Sequence, residues 1–162
     1  MVRSMMDLSC VDPTNLEDWE IVCLARAWIG TPYRHQGSCQ GGGTDCLGLI
    51  RGIWREVIGP EPEPIPAYTP DWSETTGNED LLAAAMRHFT QVEKSEAQPG
   101  HVCIMRMRTR SVAKHAGILA RTRAGNPTLI HAYSGQGVVE SSLNQDWSKR
   151  IVAVFRFPIR SF

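Results

Sequence analysis

Apolar residues recur at helical spacing from Leu16 to Ile29, with Leu16, Trp19, Val22, Cys23, Ala25 and Ile29 along one stripe and Gly30 and Pro32 closing the run. This predicts a first helix, which Thr14 or Asn15 would cap. A second stripe, Leu47, Leu49, Ile50, Ile53, Trp54 and Val57, stops at Gly59-Pro60 and predicts a second helix with Cys46 in its first turn. Between the two, residues 31–44 carry four glycines after Tyr33 and read as an irregular loop. Residues 59–78 hold five of the ten prolines and read as a long, extended surface excursion. A third helix is expected from Asn78, through Leu81, Leu82, Ala85, Met86 and Phe89, ending before the Pro99-Gly100 turn.

The pattern then changes period. Residues 102–107, 116–120, 128–133, 137–140 and 151–157 are short β-branched or aromatic runs separated by Gly, Pro, Asn and Ser turns, which predicts antiparallel strands. Helices followed by strands indicate an α+β fold, with helices packed on an antiparallel sheet. The 162 residues fit one domain over 16–162 preceded by an arm at 1–15.

Seventeen basic and seventeen acidic residues give zero net charge, which argues against nucleic acid or an anionic membrane as partner. The first residues lack the apolar core of a signal peptide, and no run approaches the length of a membrane span, so synthesis in the cytoplasm is expected. Five cysteines at irregular spacing do not form a disulfide framework.

Cys46 at a helix start feels the positive end of the helix dipole and unpaired N–H groups, which favour a thiolate nucleophile; a buried structural thiol is the alternative. His115 and His131 flank the turn 121–127. If that turn closes a hairpin, paired positions sum to about 246–248, which sets the two histidines opposite or next to each other on one face. A base and an orienting partner beside a thiol is the logic of a Cys-His-polar triad. Zinc is the rival reading, through His35, Cys39, Cys46, Cys103 and the two strand histidines, but no pair has the short C-x2-C spacing of zinc sites.

Five blocks, Trp28–Arg34, Asp45–Leu49, Gln98–Gly100, Lys114–Ile118 and Leu129–Ala132, resemble in order and spacing those of the NlpC-type papain-like cell-wall cysteine peptidases. The blocks Gly30–His35, Cys46–Leu49 and Phe155-Arg156-Phe157-Pro158 are most similar to the phage and gene-transfer-agent branch. The resemblance implies Cys46 as nucleophile, His115 as base and His131 as its orienting partner, with no cofactor. It implies further that Tyr33 lines the site near the reacting carbonyl, and that Asp45 receives the free amine of a stem peptide or complements the helix dipole. Two departures are Leu47, where many members have Ser, and Gly100-His101, where many have Gly-Asp. The expected substrate is the stem peptide of peptidoglycan, cut after γ-D-glutamyl at diaminopimelate, and the expected partners are proteins of a phage-like tail or baseplate that carries the enzyme to the wall. A structural tail protein with a restrained peptidase domain and a peptidoglycan amidase are the alternatives. The excursion 59–78 or the N-terminal arm would dock on the tail.

Overall fold

The structure is a computed structural model and describes residues 16–69 and 77–158. The arm 1–15, with the proposed cap at Thr14 or Asn15, and the part of the excursion at 70–76 lie outside the described residues. Helix α1 spans Leu16–Ala27, ending two residues short of the predicted stop, and Ile29 stands 44% exposed beyond it. Helix α2 runs Cys46–Val57, and α3 runs Asp80–His88. The third helix starts two residues later than predicted, and Met86 faces solvent at 59% exposure. The glycine loop contains a small hairpin, β1 Ser38–Cys39 with β2 Gly43–Thr44, that the composition hid.

The remaining strands are β3 Thr90–Val92, β4 Val102–Met105, β5 His115–Arg121, β6 Pro127–Tyr133, β7 Gly137–Ser142 and β8 Ile151–Arg156. They form one antiparallel sheet in the order β3-β8-β4-β5-β6-β7. A one-turn helix, α4 Gln145–Ser148, is capped by the Asn144 side chain and precedes β8. The expected α+β architecture is therefore present, with β3 and α4 as additions.

The sheet is buried on both faces. On one, Val102, Ile104, Ala116, Ile118, Ile130, Ala132 and Phe155 pack against Val22 and Ala25 of α1, Leu49 and Ile53 of α2, and Trp28. On the other, Cys103, Met105, Leu119, Leu129 and Val154 form a smaller core, closed by Trp147, Leu143 and Ile151. At about 25 cal/mol per Å² of apolar surface, each Val, Leu, Ile, Met or Phe among them contributes roughly 1.5–3 kcal/mol on leaving water, and the alanines less.

Helix α2 approaches its surroundings closely because two of its residues have no side chain. A Cβ on Gly52 would lie 2.1 Å from the Trp28 ring, and one on Gly48 would lie 1.8 Å from the Gly37 carbonyl oxygen. The turn at Gly100, with φ +92°, brings backbone within 2.3 Å of where a Cβ would meet the Asp18 carbonyl, while its N–H bonds Leu119 O. His101 beside it is buried, with Nε2 3.5 Å from Asp18 and Nδ1 accepting from Gln98 N–H. The departure at Gly100-His101 is thus a structural turn onto α1.

Candidate functional site

Asp45 is the N-cap of α2: its Oδ1 accepts from the Gly48 N–H at 2.8 Å, which places Cys46 at the first position of the helix. The Cys46 sulfur lies 3.7 Å from the Lys114 carbonyl, and the Ala116 N–H also reaches it. The thiol therefore sits against the backbone on both sides of His115, where the start of α2 meets the start of β5.

The β5–β6 register pairs Ile118 with Ile130 and Arg121 with Pro127, so partners sum to 248, the upper end of the sequence expectation. Carried along the strands, that register sets His131 across from Gly117 rather than from His115. A Cβ on Gly117 would stand 3.2 Å from that of His131. The two histidines are diagonal neighbours on one face, with nothing between them because residue 117 is glycine. His115 Nε2 and His131 Nδ1 are 2.9 Å apart, and His131 Nε2 is 3.1 Å from Ser141 Oγ. If His115 donates through Nε2–H to His131, and His131 through Nε2–H to Ser141, then Nδ1 of His115 is left unprotonated and able to take a proton.

Burial is the main influence on both rings. It lowers the pKa of His115 to about 3, aided by His131 and by the Arg150 guanidinium, and that of His131 to about 4. The Cys46 thiol is pushed up to about 12, first by burial and then by the Asp45 carboxylate, against the lowering effect of nearby N–H groups. The helix-start expectation of a ready thiolate is thus corrected for the free protein. The dipole and N–H groups are present, but desolvation and an adjacent carboxylate outweigh them, leaving a neutral thiol beside a neutral imidazole.

Tyr33 is bridged to Thr44 and is 37% exposed. Burial, then the Cys46 and Asp45 charges, raise its pKa and keep the phenol in its protonated form. Asp45 itself is buried: besides capping the helix, its Oδ2 accepts from the Gln36 N–H at 2.8 Å and from the Tyr68 hydroxyl, with His35 Nδ1 3.9 Å away. All five residues singled out in the sequence come together at one end of the sheet.

Sequence reasoning missed four others. Trp147 packs its ring 4.7 Å from that of His131 and 5.9 Å from that of His115, Tyr133 lies 6.3 Å from His115, Ser141 bonds His131, and Tyr68 bonds Asp45. Period-2 alternation places Tyr133 on the face of His131, so that contact was accessible; the other three reach the site from separate segments. Among the described residues, no three His, Cys, Asp or Glu side chains converge as a metal site.

Residues 30–156 match the profile of the NlpC/P60 family. The chain is 30% identical over 124 residues to "Murein DD-endopeptidase MepS/Murein LD-carboxypeptidase" of Escherichia coli, a match covering 76% of this chain and 54% of that protein. It is 27% identical over 144 residues to "Gamma-DL-glutamyl hydrolase" of Bacillus subtilis, covering 86% of this chain and 29% of that protein. The chain thus spans about half or less of the length of these curated relatives. The solved NlpC/p60 domain of the peptidoglycan hydrolase SagA superimposes with a TM-score of 0.57 at 23% identity, over 86% of this chain and 98% of that one, and shares the fold.

Proposed function

This chain belongs to the NlpC/P60 family, and from that premise we propose that it is a cysteine peptidase hydrolysing the peptide part of peptidoglycan. The observation that carries the reading is the placement of the Cys46 sulfur against the backbone flanking His115, whose ring is hydrogen-bonded to His131. Cys46 attacks a stem-peptide carbonyl as its proton passes to His115 Nδ1, and the tetrahedral oxyanion is held by the Cys46 N–H at the helix start with Tyr33 beside it. His115 then protonates the leaving amine. Water, deprotonated by the same imidazole, hydrolyses the thioester and returns the thiol. His131 keeps the His115 ring in the tautomer this shuttle needs, and Ser141 does the same for His131.

The bond assigned is γ-D-glutamyl to diaminopimelate, supported by the sequence blocks that resemble cell-wall peptidases. The two curated relatives named above carry different bond preferences in their names, so fragment masses are the deciding measurement. Delivery by a phage-like tail or baseplate is supported by the resemblance of Gly30–His35, Cys46–Leu49 and Phe155–Pro158 to that branch. Finding the chain by mass spectrometry in purified tail particles tests it.

Replacing Cys46 with Ala is expected to lower release of peptide fragments from purified Gram-negative sacculi by at least about 10³-fold with the fold retained. Wild-type rates in that variant sink the mechanism. Free sugar chains and intact stem peptides among the products would indicate an amidase instead.

A further inference from the structure

The proline-rich excursion is not a free surface loop where it is described. From residue 60 to residue 69 it crosses the molecule as a strap without helix or strand. At one end the Trp54 indole donates to the Pro60 carbonyl at 3.1 Å, and Glu61 pairs with Arg51 at 2.8 Å and Arg55 at 2.6 Å. Next, Glu63 pairs with Arg87 at 2.7 Å and lies 3.3 Å from His88. Underneath is an apolar cavity lined by Leu47, Ile50, Trp54, Leu81 and Ala116 and, from the strap itself, by Ile65.

At the other end the strap reaches the site. The Tyr68 carbonyl is 2.7 Å from His35 Nε2 and accepts from the Gln36 side-chain amide, and the His35 ring meets the Tyr68 ring edge-on at 5.0 Å. The Tyr68 hydroxyl donates to Asp45 Oδ2. Gln36 holds its N–H on the same oxygen through a left-handed backbone, φ 62°. The Asp45 carboxylate is thereby occupied on both oxygens: Gly48 holds one, and Gln36 and Tyr68 hold the other. Of these three donors only the phenol is a side chain, the other two being backbone N–H groups of α2 and the glycine loop, so a ligand amine reaches this buried carboxylate most directly by taking the place of the phenol.

We propose that Tyr68 is a gating residue: its hydroxyl latches the strap over Asp45, and a peptide enters that side of the cleft by replacing the phenol with its own free ammonium group. An ammonium repays the lost phenol bond with a charge-assisted one, whereas an acylated terminus repays nothing. This rests on reading the cleft as a peptide site. Tyr68 takes no part in the chemistry, so its removal shows in binding and not in turnover.

The test uses Tyr68→Phe, which keeps the ring and the carbonyl's bonds to His35 and Gln36 and removes only the hydroxyl latch on Asp45. With a muropeptide bearing a free amino terminus, KM is expected to fall about five- to tenfold with kcat held within about twofold, and the N-acetylated peptide gains by a similar factor. A fall in kcat at constant KM would mean that Tyr68 positions Asp45, and would overturn the gate. So would unchanged KM. The second arm does not depend on hydrolysis: labelling of Cys46 in the intact protein, followed at the peptide level, is expected to quicken several-fold in Tyr68→Phe with a bulky maleimide and less with iodoacetamide. Equal labelling rates in both proteins overturn the gate. If the wild type cuts no peptidoglycan while labelling still responds, the gate stands and the substrate reading falls.

Discussion

The Cys46 thiol in the free protein is neutral because a desolvated sulfur beside the Asp45 carboxylate is a poor place for a second negative charge. Its reactivity toward iodoacetamide is therefore expected to rise about tenfold per pH unit between pH 6 and pH 9, as the thiolate fraction climbs toward a pKa of about 12. A plateau reached below pH 7 would instead reveal a thiolate–imidazolium pair. The residues that set this chemistry were unequally legible. Cys46, His115, His131, Tyr33 and Asp45 stand in blocks whose spacing carries the family resemblance, and a helix start or a hairpin can be counted from sequence. Ser141, Trp147 and Tyr68 arrive from β7, α4 and the strap, and no spacing rule links residues that meet only in three dimensions. The diagonal placement of the histidines needed one more fact than the arithmetic supplied, namely which residue of the turn lies at its centre.

At the level of elements, α2 depends on two bare backbone positions one turn apart. Gly48 packs on the Gly37 carbonyl and Gly52 on the Trp28 ring, so the helix is pressed against the loop that shapes the site and the segment that follows α1. Gly48→Ala is expected to destabilise the protein by about 2–4 kcal/mol, since backbone must move to admit the methyl group. The loss is measurable as a lower urea midpoint at unchanged m-value. Stability within about 0.5 kcal/mol of wild type would show that the contact is softer than the geometry implies. Element prediction succeeded where amphipathic period dominates, as in α2 with its broad apolar stripe, and in the long strands β5 and β6. It failed for β1, β2, β3 and α4. These are two to four residues long, too short for a period to register: β1 and β2 exist by pairing with each other across a tight turn, β3 by pairing with the distant β8, and α4 by its Asn144 cap.

The whole molecule buries its two candidate histidines on the sheet face that carries the smaller core, and that choice makes folding sensitive to acid. Both histidines have folded pKa values below that of an unfolded chain, about 6.5, so the unfolded state binds more protons between the two values. Stability from this source is full above about pH 6.5 and is lost as pH falls toward 4 and 3. The expected loss is on the order of a few kcal/mol for the coupled pair. A His131→Gln variant followed by thermal melts should show a flatter decline between pH 6.5 and pH 4 than wild type; an equally steep one would place the acid sensitivity elsewhere.

The strap at 60–69 also has a thermal character of its own. Pro60, Pro62, Pro64 and Pro66 each fix one backbone dihedral, so the segment keeps nearly the same narrow range of shapes whether it lies on the protein or lifts from it. Little conformational entropy is released on lifting. What holds the strap down is then the heat of a few bonds, at Pro60, Glu61, Glu63 and Tyr68. On the gating proposal, a stiff strap of this kind moves as a bar about its Pro60–Glu63 end, and warming loosens the Tyr68 end in proportion to the enthalpy of its bonds.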